Sequence, residues 1–230
     1  MTLHRFFVDP TEIAADTFAV PPSIAHQVHR VLRLGGGARV VLLPDDGTEV
    51  VCRLDVDRCV VEERRPAMGE PAHRLTVVQA LLKGDALEEV VARATEVGVA
   101  AFRLAVTERC IVRELSSRKL ERLRAIARES AEQSERGVVP GVHGPAPLDE
   151  LLLPGAVMLF ERAGAQSRLA ELEPPAVVLI GPEGGFTPAE VERAGAAGLR
   201  IVGLGPRILR SQTVAPAVAS VVLSRTGDFA

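Results

Sequence analysis

LIGPEGGFTPAEVERA, Leu179 to Ala194, joins an apolar run to a helix start through a loop of three glycines and one carboxylate. The run before it, Ala176-Val177-Val178-Leu179-Ile180, has no polar alternation and reads as a parallel strand buried on both faces. After the loop, Thr187 is placed to cap a helix, Pro188 suits the first helical position and Glu190 completes a capping box. Strand, glycine loop and helix in this order form the junction at which open α/β sheets bind ligands.

Working outward, the pattern repeats from Arg74 to the C-terminus. LTVVQAL, FRLAVT, AVMLF, AVVLI and RIVGLG read as strands. DALEEVVARATEV, SSRKLERLRAIARESAEQSER, PAEVERAGAAG and APAVASVVLSRTG read as helices. Such alternation predicts a parallel sheet covered by helices, an α/β fold. A second loop, Leu204-Gly205-Pro206-Arg207-Ile208-Leu209-Arg210-Ser211-Gln212-Thr213, also follows a short apolar strand. Two such loops in one half of the chain speak for a ligand site rather than two unrelated turns. A dinucleotide calls for G-x-G-x-x-G after a first strand, and a nucleoside triphosphate for G-x-x-x-x-G-K-[ST]; neither spacing is present. Glu183 would also repel a phosphate at this loop. A nucleoside ligand with a cationic centre and no phosphate fits better, and S-adenosylmethionine (SAM) is one.

The first 70 residues have a different texture. ARVVLLPDDGTEVVCRLDV is a hairpin pattern turned at Asp45-Asp46-Gly47, and RCVVEERR is a further strand. SIAHQVHRVLRL carries helical spacing at Ile24, Val28, Val31 and Leu32 and stops at Gly35-Gly36-Gly37. These segments predict a small β-barrel-like domain over residues 1–70. RRPAMGEPAH serves as the linker to a second domain over residues 73–230.

Composition narrows the function. The chain has 230 residues, 47% hydrophobic and 25% charged, with a formal net charge of −3. No apolar run reaches the roughly 20 residues that span a bilayer, and MTLHRFFVDP has no apolar leader core, so a cytoplasmic protein is expected. Cys52, Cys59 and Cys110 show no zinc spacing and read as reduced, buried thiols, with no metal site. The chain lacks Trp and Tyr, which argues against aromatic stacking platforms for bases and removes tyrosine as a general acid or base. Arginines gather near the N-terminus and between Arg103 and Arg136, and guanidinium groups suit bidentate phosphate contacts.

Five segments in order resemble one family. HRFFV with HQVHRVLRL, LLKGDALEEVVARATEVGV, ESAEQSERGVVP, LIGPEGGFTPAEVERA and LGPRILRSQT resemble the bacterial 16S ribosomal RNA (uridine-N3)-methyltransferases, the RsmE family of the SPOUT superfamily. The resemblance implies a C-terminal SPOUT domain whose end is threaded into a deep trefoil knot, a rarity among folds. It also implies a PUA-like RNA-binding β-barrel at the N-terminus, a homodimer, SAM as cofactor, and 16S rRNA in the small ribosomal subunit as partner. The SAM pocket would be built by Leu159 and Phe160, by Gly181, Pro182, Gly184 and Gly185, and by Leu204, Gly205, Ile208 and Leu209. Gln212 stands where the family commonly has a carboxylate, so no general base is assigned there. Arg93 and Val97 stand where Lys and Leu are common.

The implied reaction needs uracil N3 to lose its proton before or during methyl transfer. Arg210 and Arg207 are the cations expected to stabilise the developing anion. Glu183 is expected either to take a proton, to counter the sulfonium, or to cap local backbone N–H groups. Arg5, Arg30 and Arg33 are expected to hold RNA phosphates. Arg128 and Arg136, with Gln133, are expected to contact RNA or the cofactor edge, or to serve as helix-surface charge and capping. His26 and His29 share a helix face, without the third ligand a metal needs. Two rival functions stand beside this one: an RNA-binding assembly factor without catalysis, and a knotted methyltransferase acting on another RNA.

Overall fold

A computed structural model of the chain describes residues 3–161 and 169–229. Its residues form two compact units. One comprises the described residues up to Glu70 together with Ala131–Val139; the other comprises Pro71–Ser130 and the described residues from Pro140 onward. The expected division near residue 70 therefore leaves out one piece of the first unit, the segment 131–139.

The first unit is built on β1 (His4–Phe7), β2 (Thr17–Ala19), β3 (Arg39–Leu43), β4 (Thr48–Asp55) and β5 (Arg58–Pro66). They form a sheet in the order β1-β3-β4-β5-β2, antiparallel apart from the β1–β3 pair. Among the described residues β1 and β2 are its edges. The expected hairpin is β3–β4. Asp46 fixes its turn by accepting from the backbone N–H and hydroxyl of Thr48 at 2.8 and 2.6 Å, an Asx turn. The expected helix is α1 (Pro22–His26) followed by a π-helical turn, Gln27–Val31, in which Leu32 N–H donates to Gln27 O at 2.9 Å. Phe6, Phe18, Ile24, Val28, Val40 and Leu42 are among the residues that fill the core between helix and sheet, together with Cys52 and Cys59.

The segment 131–139 seals the other side of that sheet. Ala131 packs with Phe7, Val41, Leu43 and Val51. Glu132 Oε1 accepts from Phe7 N–H at 3.0 Å, and Asp45 Oδ1 from Val139 N–H at 2.7 Å. The expected linker contributes an anchor: Glu70 grips Arg136 through both carboxylate oxygens, each at 3.1 Å.

The second unit holds β6 (Thr76–Ala80), β7 (Ala101–Val106), β8 (Gly141–Pro147), β9 (Val157–Leu159), β10 (Val177–Ile180) and β11 (Arg200–Val202). All are parallel, in the order β11-β9-β10-β6-β7-β8. The helices are α2 (Ala86–Glu96), α3 (Ser117–Gln133), which crosses the boundary between the units, α4 (Pro188–Ala196) and α5 (Ser211–Leu223). One face of the sheet buries Val78, Ala105, Met158 and Leu179 against Ala194 of α4. α2 packs against α5, which also meets β10.

β1 and β2 have no strand expectation, and in the second unit β8 and α5 differ from theirs. β8, GVHGPAP, carries two glycines and two prolines and has no strand signature; it forms because it lies at the sheet edge, where a missing N–H is tolerated. α5 begins at Ser211, four residues before the expected start, so Ser211, Gln212 and Thr213 form its first turn instead of ending a loop. Pro216 then sits inside the helix and leaves the Gln212 carbonyl without its usual donor four residues on.

Candidate active site

Because the six strands run parallel, the segments that follow β9, β10 and β11 emerge at one edge of the sheet. They enclose a cavity of about 650 Å³, within the roughly 300–1,000 Å³ of small-molecule sites. Leu159 and Phe160 line it from β9, Gly181, Pro182, Gly184 and Gly185 from β10, and Leu204, Gly205, Ile208 and Leu209 from β11. Glu183, Arg207 and Arg210 line it too. The structure thus brings together every residue expected to bind the cofactor or to act in catalysis. Glu161, Phe186, Ala86 and Val214 join the lining without any sequence signal, and Ser211 and Gln212 reach it from the first turn of α5.

The glycine loop is held by its neighbours. Gly185 has φ +68°, a left-handed conformation that disfavours a side chain. A Cβ there would also lie 3.1 Å from Glu161 Oε1. Arg109, from the segment after β7, donates Nη1–H to Gly184 O at 2.8 Å and to Phe186 O at 3.3 Å. Glu183 is exposed, and its Oε1 accepts from Lys83 N–H at 3.0 Å. This ties the glycine loop to the Leu81–Asp85 loop after β6, and it matches the capping role weighed for Glu183. Past the loop, the capping box of α4 forms as its sequence predicts. Thr187 Oγ1 accepts from Glu190 N–H, and Glu190 Oε2 from Thr187 N–H. Glu190 is 1% exposed and its Oε1 also accepts from Glu108 N–H at 2.8 Å, which fixes α4 to the end of β7.

The loop after β11 is open. Gly205 has φ +121°, a backbone conformation reserved for glycine. Arg207 and Arg210 are exposed, and Ile208 is 87% exposed beside them. Arg210 is the N-cap residue of α5; its carbonyl accepts from Thr213 and Val214 N–H, and its side chain makes no cap hydrogen bond.

The arginines expected to meet RNA divide into two groups. Arg30, Arg33 and Arg128 are exposed, and Arg33 adopts a left-handed conformation (φ 53°) just past the π-helical turn. Arg5 and Arg136 are not placed for phosphate. The Arg5 side chain is 10% exposed, 2.8 Å from Glu135 and 3.8 Å from Glu49. Arg136 is 2% exposed and bound by Glu70, whose Oε1 also accepts from Gly137 and Val138 N–H. Both guanidinium groups serve the interior of the first unit. His29 faces Asp57 at 3.9 Å, and His26 is exposed. Cys52, Cys59 and Cys110 are buried free thiols.

The chain is similar to known proteins along nearly its whole length. The model of the RNA methyltransferase domain family matches residues 69–223. A protein of Bacillus subtilis named ribosomal RNA small subunit methyltransferase E is 31% identical, over 96% of this chain and 96% of that protein. One of the same name from Synechocystis is 34% identical, over 94% of this chain and 75% of that protein. Among solved structures, ribosomal RNA small subunit methyltransferase E of Neisseria gonorrhoeae, bound to SAM, superposes with a TM-score of 0.90 at 27% identity; the match covers 100% of both chains. A methyltransferase of Legionella pneumophila in complex with SAM gives a TM-score of 0.82 at 25% identity, covering 98% of both.

Proposed function

We propose a reaction from one premise: the chain belongs to the RNA methyltransferase family, and within it to the ribosomal RNA small subunit methyltransferase E proteins. The reaction is SAM-dependent methylation of N3 of one uridine in 16S rRNA of the small ribosomal subunit. The observation that carries it is the cavity of about 650 Å³ walled by residues at the ends of β9, β10 and β11 and in the chain just past them. Its size, its glycine-lined floor and its cationic rim fit a nucleoside bearing an amino acid. Relatives of the same fold were solved with that molecule bound.

Bound there, SAM supplies a methyl group made electrophilic by the sulfonium. Leu159, Phe160, Gly181, Pro182, Gly184, Gly185, Leu204, Gly205, Ile208 and Leu209 form its walls. Arg210 and Arg207 offer guanidinium donors to the negative charge that uracil develops as N3 loses its proton, the electrostatic role that a preformed donor plays best. Glu183 serves as a clamp, holding the glycine loop to the Lys83 loop. Much of the rate comes from holding the base in line with the methyl group, which converts an encounter into a positioned reaction. The base must be unstacked to reach the site.

In this reading the second unit is a SPOUT domain with a deep trefoil knot, and the first is a PUA-like RNA-binding module. Arg30 and Arg33 on the first unit, with Arg128 on α3, hold RNA phosphates. The protein works as a homodimer in the bacterial cytoplasm. No helix among the described residues is long and apolar enough to cross a membrane.

The test is to incubate the protein and labelled SAM with small subunits that lack the modification, then digest the RNA. N3-methyluridine is the expected product. A different methylated nucleoside would redirect the specificity. SAM binding without transfer would point to another RNA, and neither binding nor transfer would favour an assembly factor.

A further inference from the structure

The cavity lining contains two carboxylates, Glu161 and Glu183. Glu183 is already engaged by Lys83 N–H. Glu161 has no hydrogen bond or ion pair among the described residues, and it stands where β9 ends, beside the glycine loop of the adjacent strand β10. Its carboxylate occupies the space above Gly185: a Cβ there would lie 3.1 Å from Oε1 and 3.3 Å from Oε2. Both oxygens therefore sit against the one loop residue with neither a side chain nor an ordinary backbone conformation.

A free carboxylate offers two acceptors and no donor. Arg207 and Arg210, also in the lining, offer only donors. A nucleoside presents one neighbouring pair of hydroxyl donors, its ribose 2′- and 3′-OH. Dinucleotide-binding folds hold a ribose hydroxyl in the same way, with a carboxylate near a glycine-rich loop. We infer that Glu161 accepts hydrogen bonds from the ribose hydroxyls of the cofactor and so selects a ribonucleoside ligand. The inference rests on the reading of this cavity as the SAM site.

The experiment measures dissociation constants of the full-length protein for SAM, methylthioadenosine and 2′-deoxymethylthioadenosine. Methylthioadenosine keeps the ribose hydroxyls but has no sulfonium charge and no amino acid. Glu161→Ala is expected to weaken SAM and methylthioadenosine alike, by about tenfold, and the 2′-deoxy compound by much less. Glu161→Gln, which keeps side-chain size and one acceptor, is expected to give a smaller loss of the same pattern. If SAM weakens and methylthioadenosine does not, the carboxylate meets the sulfonium or the amino-acid end, and the ribose assignment is overturned while the cavity reading stands. Unchanged affinity for both compounds in both variants would also overturn it. A wild-type protein that binds none of the three would overturn the cavity reading and the inference together.

Discussion

Arg210 and Glu183 line the same cavity but differ in how much of their chemistry is already committed. Arg210 is exposed and its side chain caps nothing, so its guanidinium is available to a substrate. Arg210→Ala should lower kcat on small subunits by about 10²–10³-fold, the usual cost of one lost transition-state donor. The SAM dissociation constant should change little, and steady-state kinetics with a binding titration separates the two. Glu183 is held by the Lys83 backbone. Glu183→Gln keeps that acceptor and should leave kcat within a few-fold of wild type, whereas Glu183→Ala frees the loop and should weaken SAM binding. If Gln proves as inactive as Ala while SAM still binds, Glu183 is the proton acceptor.

At the scale of elements, the site depends on where α4 and α2 are fixed. Glu190 satisfies two backbone donors, Thr187 N–H and Glu108 N–H, from a buried position. Glu190→Ala orphans both and should cost about 1–3 kcal/mol in urea denaturation. Glu88 of α2 joins α3 through Arg122 at 2.8 Å and Lys119 at 2.5 Å. Hydrogen bonds from Arg122 first and Lys119 second pull its carboxyl from the usual 4.5 down to about 2. A folded-state value below the unfolded one contributes stability above pH 4.5, lost as pH falls through about 2. The stability gap between wild type and Glu88→Gln should therefore be constant between neutral pH and pH 5 and close on further acidification. Denaturation midpoints across that range measure it.

For the molecule as a whole, the first unit is completed by residues that follow most of α3. Glu70 and Arg136, 66 positions apart, form a bidentate pair with the guanidinium 2% exposed. Removing one partner of a buried pair leaves the other uncompensated, so Arg136→Ala should destabilise by about 3–5 kcal/mol. Arg136→Lys should rescue it poorly, because an ammonium cannot match the fork. Thermal unfolding checks both. Unchanged stability with weakened RNA binding would instead return Arg136 to the phosphate-contact role expected from its sequence.

What could be read from residues was local or periodic. The capping box at Thr187 and Glu190, the hairpin turned at Asp46, the buried strand before Gly181 and the two glycine loops depend on neighbours in sequence, and a short span of chain dictates them. Strand–helix alternation likewise implied a parallel sheet, and with it a site beyond the carboxyl ends of the strands. Tertiary structure decided the rest, because long-range pairing obeys no local pattern. β8 is a strand only because an edge tolerates its prolines. α5 reaches back to Ser211 although Pro216 lies inside it. Arg5 and Arg136 look like surface cations in sequence, yet Arg136 is buried and Arg5 largely covered, each paired with a distant carboxylate. Glu161 carries no motif; the pairing of β9 with β10 places it over Gly185. Sequence determined the periodic elements and the character of the loops, because both depend on near neighbours, and packing determined the edge strand, the start of α5 and which charges were left free to do chemistry.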